Sequence, residues 1–181
     1  LTGVEDKGEV KIVHTAKGDF ETKTVILATG AHHAHLGVPG EDEFAGMGVS
    51  YCATCDGAFF RKKTVAVVGG GDVAVEDAIF LARTCEKVYL IHRRGELRAA
   101  KVLQDRLFAM PNVEFLWNHV VTSIEGDDAV SSIVLENIKD GTEKELDVSG
   151  VFIAVGILPE TSAFGELVSC NNKGYIVAGE D

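Results

Sequence analysis

No apolar run in this sequence approaches the roughly 20 residues needed to cross a bilayer, and the N-terminus has neither the basic start nor the apolar core of a signal peptide. Both absences point to a cytoplasmic protein with no membrane as partner. Cations are scarce too: 17 Lys and Arg against 28 Asp and Glu give a net charge of −11. Nucleic acid and anionic lipid both need a basic face, so neither is an expected partner. Disorder-prone composition is also missing. With 46% hydrophobic and 25% charged residues, the 181 positions describe an ordinary globular core, one domain or one domain with attachments. No internal repeat stands out beyond residues 26–30 and 153–156, both apolar runs that end in glycine.

A second paired cysteine spacing is lacking as well. Of the four cysteines, Cys85 and Cys170 are single and far apart, and they read as small hydrophobic fillers. Structural zinc needs four ligands and usually repeats a paired spacing. The best remaining zinc donors, His32, His33 and His35, lie in a glycine-punctuated stretch and read as exposed or capping groups, so no metal is expected.

What is present is Cys52-Ala53-Thr54-Cys55-Asp56-Gly57. A two-residue spacer lets both sulfurs meet in one small ring that opens and closes reversibly, with a thiolate as the attacking species. In a reducing cytosol such a pair is catalytic or metal-bound rather than scaffolding. Asp56 stands where it can give or take the proton that exchange must move, provided burial or a neighbouring thiolate favours its protonated form. The plain alternative for Asp56-Gly57 is a turn or a cap.

Along the chain, residues 10–13 and 24–28 read as strands with a turn near 17–19, a piece too small to stand alone and so the tail of something larger. Glycines and a proline punctuate residues 31–60. Residues 65–68 then form a short buried strand. Val75, Ala78, Ile79 and Ala82 follow at helical spacing, and residues 87–91 form the next strand. The unit is βαβ with a right-handed crossover.

Gly69-x-Gly71-x-x-Ala74 opens the helix of that unit, where glycines let backbone N–H groups approach a pyrophosphate. A site for NAD usually places a carboxylate at the end of the second strand. Here that strand ends in His92-Arg93-Arg94, with Arg98 and Lys101 following. Guanidinium groups bind a 2′-phosphate that a carboxylate would repel, so the cofactor expected is NADPH rather than NADH.

Beyond Lys101 a helix runs to about Ala109, where Pro111 follows and cannot continue it. Residues 113–117, 120–124, 133–137 and 144–148 alternate enough for a meander, and 151–155 is a buried strand ending at Gly156.

Assembled, the motifs resemble the bacterial-type, low-molecular-weight thioredoxin reductases over essentially the whole chain. The resemblance rests on residues 27–31, Val38-Pro39-Gly40-Glu41, the Cys52 to Gly57 segment, residues 69–76, His92-Arg93-Arg94 with Arg98, and residues 151–159. It implies an α/β, Rossmann-like NADPH-binding domain at 35–157, built of a parallel sheet plus a β-meander and carrying the redox disulfide. Partial segments of an FAD-binding domain would flank it at 1–34 and 158–181. It implies a flavoprotein oxidoreductase that uses NADPH and FAD to reduce the disulfide of thioredoxin, as a homodimer when complete.

By position, Cys52 and Cys55 would be the redox pair, with Cys55 nearer the flavin, and Asp56 the acid. Gly69, Gly70, Gly71, Asp72, Ala74 and Glu76, with His92, Arg93, Arg94 and Arg98, would bind the cofactor, the arginines holding the 2′-phosphate. Members of the family alternate two domain orientations, because nicotinamide and disulfide cannot face the flavin together. The chain departs from the pattern in lacking a second glycine fingerprint before Cys52 and a Gly-Asp segment after Gly174, so its flavin site is expected to be incomplete and the chain a fragment, inactive alone. Alternatives are a flavoprotein reductase of a peroxiredoxin system, against which Ala53-Thr54 speaks, and an NADP(H)- or zinc-binding module without turnover.

Overall fold

The computed structural model describes residues 1–164 and 167–179. By its internal contacts the chain divides into two compact units, one of residues 34–155 and one of residues 1–33 with 156–181.

The second of these units opens with a three-stranded antiparallel sheet of β1 (Gly3–Asp6), β2 (Lys11–Thr15) and β3 (Gly18–Thr22). Gly18, at φ 123°, makes the tight return from β2 to β3. Residues 24–28, expected as a strand, are irregular, and Ile26 is 92% exposed. A strand persists only where its N–H and C=O groups find a neighbour, and among the described residues none lies beside this stretch. The strand comes later, at β4 (Ala31–His33), which pairs antiparallel with Ile157–Pro159. His32 and His33, expected in a loop, are therefore strand residues.

The larger unit is built on β5 (Val49–Ser50), α1 (Ala53–Asp56), β6 (Thr64–Gly69), α2 (Asp72–Ala82), β7 (Lys87–His92), α3 (Lys101–Phe108) and β8 (Val113–Trp117). It continues with β9 (His119–Gly126), β10 (Val130–Asn137), β11 (Glu143–Asp147) and β12 (Gly150–Ala154). Five strands form one parallel sheet in the order β5-β12-β6-β7-β8. The meander is the separate sheet β11-β10-β9. Residues 113–117, expected in the meander, are instead the outer strand of the parallel sheet. Helix α3 precedes them, and a helical crossover returns the chain parallel to β7.

Both faces of the parallel sheet are covered, which is why its strands read as nearly unbroken apolar runs. Along β6, Val65 and Val67 pack with α2, α3 and Phe152, whereas Ala66 and Val68 pack with the meander residues Ile124, Ile133 and Leu135. Phe152 is fully buried on the helix side, edge-on to Phe60 at 5.2 Å between ring centres. Gly150 is a glycine because a Cβ there would occupy the space of the Phe60 ring. Phe152→Ala leaves a large void against Phe60, so we expect it to lower unfolding free energy by about 3–5 kcal/mol in urea melts. An unchanged midpoint would contradict this packing. No helix among the described residues is long and apolar enough to cross a membrane, which says nothing of a β-barrel.

Candidate functional site

Strand β5 delivers the cysteine pair. Its last residue, Ser50, is 5% exposed, and after Tyr51 the chain turns into α1 with Cys52 as N-cap, its sulfur accepting from the Cys55 N–H at 3.2 Å. One helical turn sets the third residue on beside the first, and Cys52 and Cys55 are joined as a disulfide with Cα atoms 5.3 Å apart. Cys55 is exposed and Cys52 half-buried, so the bond can be reached from solvent. Cys85 is buried among the helix-side core residues, as a filler would be. Cys170 is exposed, contrary to the same expectation for it, because it sits in the irregular segment after residue 159 where no core covers it.

Asp56 does not cap the turn that follows it, Gly57–Phe60. Its Oδ2 accepts from the Ser50 hydroxyl at 2.6 Å, and the same Oγ accepts from the Cys52 N–H at 3.1 Å. Ser50 thus ties the half-buried carboxylate to the backbone of the first cysteine. A second buried group, Glu41, is 2% exposed and accepts from the N–H groups of Leu36 (3.0 Å) and Gly37 (2.7 Å) and from the Tyr51 hydroxyl (2.8 Å). Burial alone would raise the Glu41 carboxyl, but the donated hydrogen bonds outweigh it and hold the group below its ordinary value. Burial and the facing carboxylate push the Tyr51 hydroxyl well up. Reading the sequence assigned no role to Ser50 or to Glu41. The only available signal for Glu41 was its place at the end of Val38-Pro39-Gly40-Glu41.

The glycine turn lies at the end of β6. A Cβ on Gly69 would overlap the Ala154 carbonyl and the Ala74 methyl, so at Gly69 helix and sheet approach too closely for a side chain. A Cβ on Gly70 would enter the His92 ring. Gly71 is the N-cap of α2 and has open space where a side chain would be, which leaves the N-terminal N–H groups of an 11-residue helix accessible.

Beside this turn is a cavity of about 330 Å³, lined among others by Gly69, Gly70, His92, Arg93, Arg98 and Val155. Arg93, Arg94 and Arg98 are exposed, and none of them forms an ion pair among the described residues. His92 is 5% exposed, and its Nε2 has no hydrogen-bond partner among the described residues. Burial first, then the charges of Arg98, Arg94 and Arg93, holds this imidazole below its usual value. A helix N-terminus and guanidinium groups that form no ion pair among the described residues make an arrangement able to receive an anion in an acidic chain. The cradle suits a dinucleotide whose pyrophosphate meets the turn and whose ribose carries a further phosphate.

Of the residues expected here, Gly69, Gly70, His92, Arg93 and Arg98 share the cavity wall. Gly71 and Asp72, the N-cap and first residue of α2, are not in the lining, and Ala74 is buried against Gly69. Arg94 lies outside the lining, as does exposed Glu76, one turn along the helix. His35 and His119 line the cavity although no motif includes them as cofactor residues. Cys52, Cys55 and Asp56 do not line it. Among the described residues no group of three or more His, Cys, Asp or Glu is placed to hold a metal ion. His32 is hydrogen-bonded to Glu160 at 2.6 Å, and His35 lies 3.1 Å from the Tyr51 hydroxyl.

Among curated proteins the chain is similar to the thioredoxin reductase of Listeria innocua, at 47% identity over 179 residues, covering 98% of this chain and 56% of that protein. It is 42% identical over 177 residues to the thioredoxin reductase of Streptomyces coelicolor, covering 97% of this chain and 55% of that one. Among solved structures it resembles Lactococcus lactis thioredoxin reductase with a TM-score of 0.88 and 43% identity, over 99% of this chain and 59% of that one. For the enzyme from Streptococcus pyogenes the TM-score is 0.84 and the identity 47%, over the same shares. The chain thus spans little more than half the length of these relatives. The family described as pyridine nucleotide-disulphide oxidoreductase matches residues 2–181. A closed two-cysteine ring ahead of a βαβ unit with a glycine turn agrees with that match, and the chain belongs to the pyridine nucleotide-disulphide oxidoreductase family.

Proposed function

We propose that the whole protein is an NADPH-dependent, FAD-containing reductase of the thioredoxin disulfide and that Cys52 and Cys55 carry the electrons to the substrate. On this reading residues 35–157 are the NADPH-binding domain, and 1–34 and 158–181 are segments of the FAD-binding domain. The whole protein would act as a cytoplasmic homodimer. The observation that carries the reading is the presence, within the 34–155 unit, of both the closed Cys52–Cys55 ring and the glycine–arginine cavity.

The chain's own residues divide the work. The N–H groups at the start of α2 receive the pyrophosphate, and Arg93 and Arg98 at the cavity wall take the 2′-phosphate, with Arg94 adjoining. Bound to the whole protein, FAD would supply a two-electron relay between nicotinamide and disulfide. Among the described residues no second glycine turn opens a helix of this length, so no residue of this chain is assigned to the flavin. Reduction of the Cys52–Cys55 bond takes up two electrons and two protons. One resulting thiolate then attacks the thioredoxin disulfide to give a mixed disulfide and a thioredoxin thiolate. The other cysteine displaces the second thioredoxin sulfur and restores the ring. Asp56, held by Ser50, is the group beside the ring that moves a proton.

Calorimetric titration tests the nucleotide part. NADPH should bind more tightly than NADH, because each charge-assisted contact to the 2′-phosphate is worth about 1.5–3 kcal/mol, roughly 10- to 150-fold in affinity. Equal affinities would contradict the assignment.

A further inference from the structure

Asp72 presents a puzzle if the glycine turn binds phosphate. It is the first residue of α2 and puts a carboxylate at the helix end where an anion is to be received. Its Oδ1, however, is committed elsewhere, accepting a hydrogen bond from the Ala100 N–H at 2.7 Å across 28 residues of sequence. The segment that contains Ala100 is the one that carries the arginines. Residues 93–100 form no helix or strand, so their backbone must be held by contacts outside themselves. Leu97 and Ala99 are buried in the helix-side core, with Arg98 exposed between them. The Arg98 N–H donates to the Gly70 carbonyl at 2.7 Å. Ala100 is the N-cap of α3, and its own N–H, which no helical hydrogen bond uses, is received by the Asp72 carboxylate.

We propose that Asp72 is a positioning residue that sets selectivity for the 2′-phosphate. It does so by clamping the arginine segment to the glycine turn rather than by touching the nucleotide. Two hydrogen bonds two residues apart, Arg98 to Gly70 and Ala100 to Asp72, fix the backbone on either side of the Arg98 side chain. With both made, the guanidinium of Arg98 starts from a set place on the cavity wall and loses little freedom on meeting a phosphate. With the Asp72 bond gone, burial of Leu97 and Ala99 and the Gln104 Nε2 bond to the Ala99 carbonyl at 2.7 Å still hold the segment to the core, but after Arg98 it loses its tie to the start of α2, and Arg98 must be ordered further at the moment of binding. The carboxylate's own repulsion of a pyrophosphate acts on NADPH and NADH alike, so it cancels in the ratio of their affinities, whereas the clamp acts on the 2′-phosphate only. This inference deepens the NADPH reading above and rests on it.

The test compares Asp72→Ala, which removes the acceptor, with Asp72→Asn, which removes the charge but keeps an oxygen acceptor. Calorimetry gives the NADPH-to-NADH affinity ratio for each, and hydrogen exchange without nucleotide reads the Arg98 and Ala100 amides. We expect Asp72→Ala to lose about tenfold in the ratio, the scale of one charge-assisted contact, with faster exchange at Ala100. Asp72→Asn should stay within about threefold of wild type, because the surviving acceptor retains most of the roughly tenfold contact. A wild-type ratio retained by Asp72→Ala overturns the proposal, and so does an equal loss in both variants, which would make charge rather than the acceptor responsible. If the wild-type chain itself shows no preference, the NADPH reading fails and the selectivity role with it. Slow Ala100 exchange in that case would show a clamp with some other purpose.

Discussion

Replacing Asp56 with Asn is expected to lower thioredoxin turnover by the whole protein about 10²- to 10⁴-fold while leaving NADPH affinity unchanged. Opening the Cys52–Cys55 ring creates thiolate charge that needs a proton, and resolving the mixed disulfide releases one. Asp56 is the ionisable side chain that follows the pair directly, and it is half-buried with its Oδ2 on the Ser50 hydroxyl. Asn keeps the shape and can still accept from Ser50, so the variant removes the proton and little else. The cavity proposed for the nucleotide does not include Asp56, which is why binding should not respond. Steady-state kinetics with saturating NADPH measure the loss. Normal turnover across neutral pH would place the acid elsewhere and leave Asp56 as an anchor for the end of β5.

The second large effect belongs to the arginines. Arg98→Ala and Arg93→Ala should each weaken NADPH binding by roughly 10- to 150-fold with almost no change for NADH. Both side chains line the cavity beside Gly70 and are in no ion pair among the described residues, so their charge is available to a ligand. Arg94 lies outside the lining and should cost less when truncated. Its carbonyl accepts from the Asn118 N–H at 3.4 Å, which gives this residue a backbone part in holding the loop. Calorimetry of the three variants orders them. A larger loss for Arg94 than for Arg98 would move the phosphate out of this cavity.

The part of the molecule that could be read from sequence is the part whose partners are near in the chain. Residues 65–68 are followed at once by the glycine turn, and Val75, Ala78, Ile79 and Ala82 repeat at helical spacing, so strand, turn and helix were all visible. The cysteine pair was visible for the same reason, since one helical turn brings both sulfurs together. What depended on distant partners was hidden. Residues 24–28 have the apolar composition of a strand but no neighbour to pair with among the described residues. Residues 113–117 alternate like meander strands, yet the crossover through α3 sets them parallel to β7.

Ser50 is an ordinary serine until β5 pairs with β12, a hundred residues on, and buries it beside Asp56. Asp72 looks like part of a phosphate-binding fingerprint, and only the fold reveals that its carboxylate is bonded to Ala100. Motif spacing therefore pointed to the cysteine ring and to the glycine turn beside the cavity. Which side chains line the cavity and which hold its walls depends on contacts that close over long stretches of chain.

The central claim is that electrons from NADPH reach thioredoxin through the Cys52–Cys55 ring. The most direct measurement is the rate of NADPH oxidation by the whole protein in the presence of oxidised thioredoxin, wild type against Cys55→Ser. Wild type should oxidise NADPH with one thioredoxin disulfide reduced per NADPH, and Cys55→Ser should abolish that coupled reduction while still binding NADPH. Thioredoxin reduction by Cys55→Ser at the wild-type rate would contradict the account.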